Sequence, residues 1–472
     1  MITSPNSVLA NALLRVVDLV RPALARRAYR GIELVVGTQI NGRPHLGTAL
    51  VQCFSFMLAA EMRRSFSVDA AVRFSALDNA PYEVREDPES FNTYQKTYYH
   101  ALGRDGVAEL IEDYYVGYFE ALAELTGSEY EIETYTQQQA SAPFRQEFLR
   151  SLSHYDDLRW CVAPSTGVSH VRVPCPLCGW AEKRADRTRI VNCTDHSATF
   201  EAFCLDHDEY EVEVGDSGSA YVDLNTLYRN VVKEAVCMRD DGILHVMVKG
   251  GDWAMGVQPV DWAHGVLGRR AHEVPIRLFC PQILASTGAK FSKSLLRESA
   301  IDPGDWTLDI TKFPGGVDAL ADRMVWCGER LLGDPKHFLR SYCRDEFMKI
   351  MANHTPSALP RARPMRIYRK YFDMIASGEK TIEIRVAYSS LARLRPGSLL
   401  RFESGPGQQC LTRVKRIARY ADFPQLLAAE DVRQINPHAS KEQQLEDLRR
   451  IFPPEKEKLG AVAIEIERVE PA

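Results

Sequence analysis

The sequence predicts an α/β fold: a parallel sheet interrupted by a cysteine-bearing insertion, then a small β-barrel with helical decoration. Three observations carry that reading. An apolar strand at residues 32–36 runs through a glycine-bearing turn into a helical pattern at residues 48–62, the unit that opens a parallel sheet. Buried-strand patterns return at residues 243–248 and 276–284 after a long stretch of different character, which implies one sheet split by an insertion. Pro356, Pro360 and Pro364 then mark a linker, and beyond it short strands at residues 382–386, 399–403 and 462–466 mix with helices at 370–376 and 441–451.

The first strand ends at Gly37, and loop chemistry continues to Gly47, where a helix starts. A second strand spans residues 70–74 and leads to Ser75 and Asp78. Residues 94–152 read as mostly helical, and 160–222 as short strands around cysteines. The strand at 243–248 ends in Gly250-Gly251-Asp252-Trp253, and residues 298–350 are helical in pattern.

Composition bounds the function. The 472 residues, 45% hydrophobic and 26% charged, describe globular protein of two to four domains, excluding collagenous, disordered and disulfide-scaffold classes. No apolar stretch reaches the roughly 18–20 residues that span a bilayer, and the N-terminus lacks a signal-peptide core, so no membrane partner is expected and the expected location is cytoplasmic. Eleven cysteines, four of them between Cys175 and Cys204, indicate a metal site among free thiols. The net charge of −5 divides into −11 for residues 1–360 and +6 for residues 361–472, making the C-terminal module the candidate nucleic-acid contact.

Two motifs carry candidate catalytic chemistry. Pro44-His45-Leu46-Gly47-Thr48 sits at a helix start, where unsatisfied amides and a positive partial charge suit a polyphosphate. Gly47 lets a nucleotide approach the backbone, and His45 can donate to a phosphate oxygen. Lys290-Phe291-Ser292-Lys293-Ser294 places two ammonium groups on a Gly/Ser-flanked loop after a strand, where they can neutralise charge on departing pyrophosphate. Gln39 and Asp78, at strand ends facing one crevice, are candidates for a substrate ammonium. Trp253 offers an aromatic wall for a side chain or its stem.

Together these motifs resemble the HIGH and KMSKS motifs of class I aminoacyl-tRNA synthetases, most nearly those of class I (archaeal-type) lysyl-tRNA synthetases. Those enzymes also carry a small polar residue at the position of Thr48, a Gly-x-Asp turn like Gly250-Gly251-Asp252, and a zinc-binding insertion. The resemblance implies a Rossmann-like, HUP-type catalytic domain over residues 28–300 with an insertion at about 80–222, and a helical region at 301–355. It implies attack of an amino-acid carboxylate on ATP, with Mg²⁺, to give an aminoacyl-adenylate, then transfer to an acceptor. His45, Gly47 and Thr48 would hold the triphosphate, with Gly37, Pro44, Ser292 and Lys293 also binding ATP. Gly250 and Asp252 would touch the nucleoside, and His45, Lys290 and Lys293 would act in catalysis. Trp253 stands where the lysyl enzymes have His. About 70 residues separate Ser294 from the C-terminal module, too few for the large helical anticodon-binding region of those enzymes. The acceptor is expected to be tRNA, with a small-molecule acceptor as the alternative and a silent RNA-binding paralogue as a third reading.

Cys175-Pro-Leu-Cys178-Gly is a zinc-knuckle turn, whose glycine allows backbone amides to face the thiolates. Cys204-Leu-Asp-His207, between two strand patterns, is the expected second pair, and Cys193-Thr-Asp-His196 is the alternative. Four ligands make a closed, structural Zn²⁺ site, placing the knuckles at residues 175–207. In the basic module, Lys380, Glu383 and Arg385 lie along one strand after a helix and form a candidate RNA or nucleotide contact. This segment, residues 365–472 after a linker at 356–364, resembles the ASCH family, a PUA-like barrel. The resemblance implies RNA or nucleotide binding. Some small members hydrolyse acetylcytidine with a Lys, Thr and Glu set. Here Lys380 matches the lysine, but Glu383 stands where Thr is needed.

Overall fold

The computed structural model describes residues 13–168, 171–218, 220–240, 242–291, 305–354, 362–388, 391, 393–405, 408–452 and 454–469. Its first domain is built on β1 (Gly31–Gln39), α1 (Leu46–Phe66), β2 (Asp69–Leu77), α2 (Gly117–Thr126), β3 (Glu129–Thr134), α3 (Thr226–Cys237), β4 (Ile243–Gly250), α4 (Ala254–Val266), β5 (Ile276–Cys280) and α5 (Gly316–Gly333). The five strands form one parallel sheet in the order β5-β4-β1-β2-β3. The chain steps outward from β1 to β3, then returns on the other side of β1, so a crevice opens beyond the carboxyl ends of β1 and β4.

Alternation along the strands gives the sheet two different faces. Ile32, Leu34 and Val36, Val72 and Phe74, Leu244, Val246 and Val248, and Leu278 pack against α1 and α5 in the main core, with Leu50, Phe54, Leu320 and Met324. The opposite face, toward α3, carries Glu33, Arg73, His245 and Arg277. Their charges are paired: Arg73 and His245 meet Glu33 at 2.8 and 3.2 Å, and Arg277 and His264 converge on Glu234.

Three expectations change. Residues 129–134, assigned to a helical stretch inside the insertion at about 80–222, form edge strand β3, with Tyr130 buried between Glu129 and the exposed Glu131. Alternating glutamates at an edge read as a solvated helix when the partner strand is unknown. Residues 276–284 are two strands, because Pro281 lacks the N–H that would continue the ladder. Ile283–Leu284 pairs instead with Tyr342–Cys343, inside the region expected to be helical at 301–355. The insertion packs a second core of Phe144, Phe148 and Phe200 against Tyr228 and Val231 of α3. Among the described residues no helix is long and apolar enough to cross a membrane.

The second domain contains β6 (Arg363–Arg366), α6 (Arg369–Ser377), β7 (Ile382–Val386), β8 (Leu399–Gly405), β9 (Gln408–Tyr420) and β10 (Ala461–Arg468). Its sheet has the order β6-β8-β9-β10-β7, with β6 and β8 parallel and the other pairs antiparallel. Bulges between Glu403 and Gly405 and between Val414 and Arg416 curl it into a half-barrel with an apolar cluster on each side. It docks on the β3 side of the first domain. Arg366 donates to the Arg63 carbonyl at 2.8 Å, Lys456 meets Glu131 at 3.4 Å, and Arg393 bridges Glu120 and Asp318. Gly127, at φ 68°, lies so close that a Cβ would run into the Pro364 carbonyl.

Candidate active site

His45 caps α1 in extended backbone, its Nδ1 accepting the Gly47 N–H at 3.1 Å. That contact assigns the ring proton to Nε2, which donates to Thr48 Oγ1 at 3.1 Å. A Cβ on Gly47 would stand 3.1 Å from His45 Cε1, so glycine is what lets the ring fold over the helix end. The Leu46 N–H donates to the Thr307 carbonyl at 2.7 Å, and the Pro44 carbonyl accepts from Ile310 at 3.0 Å. The cap is thereby clasped from both sides. The His45, Gly47 and Thr48 groups gather at one helix N-terminus, while Gly37 lies among the last residues of β1, against Ser75 of β2.

Lys290 and Phe291 belong to a turn after β5, closed by the Ala285 N–H donating to Ala289 O at 2.8 Å. The buried Phe291 ring lies edge-on to His45, with centroids 6.0 Å apart, so the two motifs meet directly. Lys290 Nζ reaches Asp252 Oδ2 at 2.5 Å, joining this turn to the Gly250-Gly251-Asp252 turn at the end of β4. Ser292 and Lys293 lie outside the described residues. One crevice thus gathers a helix N-terminus, a neutral histidine, a lysine and a carboxylate, a set able to bind and polarise a polyanion.

Asp78, just past β2, is buried, with Oδ1 accepting the Thr136 N–H at 3.0 Å and Oδ2 lacking a hydrogen-bond partner among the described residues. Burial pushes its carboxyl up to about 6, against the Thr136 hydrogen bonds that lower it. Gln39 is exposed at the end of β1, accepting from Asn41 at 3.3 Å. Trp253 is not an open wall: the ammonium of Lys249 sits 4.4 Å from its ring centroid. Lys249 and its partner Asn230 belong to no sequence motif. The signal available was a lysine interrupting the apolar run of β4 just before its glycines.

In the insertion, Cys175, Cys178, Cys204 and His207 bring their ligand atoms within 4.8 Å of one another. Neighbouring separations are 3.5 Å for Cys178 Sγ and Cys204 Sγ, and 3.6 and 3.7 Å from His207 Nδ1 to the sulfurs of Cys175 and Cys204. Bonds of about 2.0–2.3 Å to a tetrahedral zinc ion imply ligand separations of about 3.3–3.8 Å, so the donor set and its spacing fit zinc. Cys193 and His196 are elsewhere: Cys193 is exposed against the Thr194 carbonyl, and His196 faces Asp216 at 3.4 Å.

In the second domain, Lys380 and Glu383 are buried and lie 3.3 Å apart. Lys380 also donates to the carbonyls of Ile382 and Ile435. Arg385 is bonded to Glu383 and to the Arg366 carbonyl beside the domain junction. The three therefore form an internal ion-paired chain, not an open reading face. Only Lys380 borders the cavity of about 590 Å³ there, whose walls also include Thr381, Lys415, Gln434 and Arg468.

Residues 365–470 match the ASCH domain family. The same region is similar to a Pyrococcus furiosus protein of known solution structure, at 33% identity over 23% of this chain and 97% of that one, TM-score 0.20. The chain is also similar to Mycobacterium tuberculosis methionyl-tRNA synthetase in complex with methionyl-adenylate, at 12% identity over 75% of this chain and 74% of that one, TM-score 0.34. Likewise it is similar to Archaeoglobus fulgidus tyrosyl-tRNA synthetase complexed with L-tyrosine, at 12% identity over 71% and 92%, TM-score 0.31. A comparison with curated proteins finds no match.

Proposed function

We propose that this chain, whose C-terminal domain is an ASCH domain, activates an amino acid with ATP and passes the aminoacyl group to an acceptor, tRNA in the first instance. The observation that carries the proposal is the meeting of the His45 cap with the turn of Lys290 and Phe291, closed by Lys290 on Asp252. In the reaction a substrate carboxylate oxygen bonds to the α-phosphorus of ATP as the bond to the bridging oxygen breaks, releasing pyrophosphate. Attack by an acceptor hydroxyl on the acyl carbon then releases AMP. Pro44, Gly37, His45, Gly47 and Thr48 hold the triphosphate, which carries Mg²⁺. Ser292 and the ammonium groups of Lys290 and Lys293 meet the growing charge on the leaving group. Gly250 and Asp252 take the nucleoside. These roles need positioning and electrostatics and no covalent enzyme intermediate.

The cysteine-histidine cluster holds a structural Zn²⁺, and the basic ASCH domain anchors RNA through its cavity and the Lys415 and Arg468 rim. The short span between Ser294 and the ASCH domain favours the second reading, a small amine or hydroxyl as acceptor, over recognition of an anticodon. ATP–pyrophosphate exchange across the standard amino acids, with lysine among the first for its motif resemblance, tests activation. Product analysis with and without total tRNA then separates the acceptors. Lys293→Ala is expected to lower exchange by orders of magnitude, and a protein replete with zinc that exchanges with no amino acid overturns the activation step.

A further inference from the structure

The α3 face of the sheet holds a concentration of positive charge at its carboxyl end. Lys249 is the penultimate residue of β4, beside the crevice, and its side chain points to the same face as His245 and Met247. Its ammonium donates to Asn230 Oδ1 at 2.7 Å and stands over the Trp253 ring. Asn230 is itself fixed, donating from Nδ2 to the Thr226 carbonyl at 2.6 Å. Arg229 and Lys233, one turn apart on α3, face the same region. Arg229 donates to Asn79 at 3.4 Å. Among the described residues, none of these three cations has a carboxylate within ion-pairing distance, although most other basic groups of this face do. The nearest carboxylate on α3, Glu234, is already engaged by Arg277 and His264.

Arg229 is buried and the two lysines are partly so, and cations set together with no carboxylate in contact are costly unless something anionic joins them or the lysines lose their protons. The cost is visible in their titration. Burial holds the Lys249 ammonium down to about 7 and that of Lys233 to about 8, with Arg229 lowered as well. Charges facing Lys249 are Lys233, Arg229 and Arg277, which depress it further, and Glu234, which opposes them. The site is prepared for a charge that the chain does not supply.

We infer that the crevice selects an amino acid whose side chain ends in a carboxylate, received by Lys249, with Asn230 fixing the ammonium and Trp253 closing one side. The inference rests on the proposed activation chemistry and departs from its lysine resemblance, because a second ammonium would enter a field already positive. Asp78, with its unpartnered oxygen, remains available for the α-ammonium.

The test compares glutamate, aspartate, glutamine and lysine in ATP–pyrophosphate exchange, and measures binding of the glutamyl and lysyl sulfamoyl-adenosine analogues by calorimetry. An acidic amino acid is expected to be preferred over lysine by at least 100-fold in kcat/KM. Lys249→Met is expected to raise its KM at least tenfold while leaving the KM for ATP unchanged. Preference for lysine or glutamine overturns the inference and leaves activation standing. No exchange with any amino acid, together with tighter binding of the glutamyl analogue, overturns activation and supports the side-chain assignment. If Lys249→Met fails to fold, the analogue preference of the wild-type protein decides.

Discussion

Lys290 and Asp252 form an ion pair at 2.5 Å that ties the turn after β5 to the turn after β4, across the mouth of the crevice. Both side chains retain solvent contact, at 49% and 31%, so the pair is worth at most about 1 kcal/mol and can be exchanged for a contact with substrate. On the proposed function the pair is a latch that a polyphosphate opens. Lys290→Ala is therefore expected to leave the melting temperature nearly unchanged while lowering the exchange kcat about 10²–10³-fold, the scale for loss of one charge-stabilising donor. A large fall in melting temperature with intact exchange would instead make Lys290 a structural residue.

Asp78 gives a pH dependence whose sign is fixed by its environment. Its carboxyl ionises at about 6 in the folded chain, raised by burial from the ordinary 3.8, so the protonated form persists up to about pH 6. The group's effect on stability is nil well below 3.8. As pH rises from about 4 to about 6 it destabilises the fold by up to about 3 kcal/mol, and the loss then levels off. Asp78→Asn is expected to remove this component from urea unfolding measured at pH 4.5 and 7. It should also abolish amino-acid-dependent exchange, whose wild-type rate rises through pH 6 as the carboxylate forms. Identical pH slopes for wild type and variant would refute the assignment.

For the cysteine cluster, the alternative ligand pair provides an internal control. Cys204→Ser is expected to reduce zinc bound per chain well below one and to make the insertion sensitive to proteolysis, whereas Cys193→Ala keeps full zinc content. Elemental analysis of the two purified variants checks this, and loss of zinc from the Cys193 variant would move the site.

Gly127 tests the domain junction. A side chain there meets both a strained positive φ and the Pro364 carbonyl, so Gly127→Val is expected to cost about 2–4 kcal/mol and to free the ASCH domain as a separately melting unit. A single transition at the wild-type temperature would mean that the junction does not hold the domains together.

The parts legible in the sequence are those whose chemistry is local. A cap, its glycine and the following helix occupy adjacent positions, as do Cys175 and Cys178, so these are legible from spacing, whereas Cys204 and His207 share their spacing with Cys193 and His196 and are set apart only by the strand patterns on either side. Residues whose role depends on distant neighbours could not be placed. Lys380 and Glu383 look like an exposed charged strand face, yet they are buried because their charges answer each other and two carbonyls of the same domain. Lys249 acquires its meaning from α3 and Trp253. Strand β3 is hidden by its glutamates, and Gly127 by a proline more than 200 residues away.

The docking of the ASCH half-barrel on the β3 side, through Arg366, Lys456 and Arg393, fixes the separation between its cavity and the crevice of His45 and Lys290. A polymer held at both places must span that separation. On the proposed function the pair of sites would work as a ruler, accepting or rejecting a strand by its length and shape before any letter of it is read.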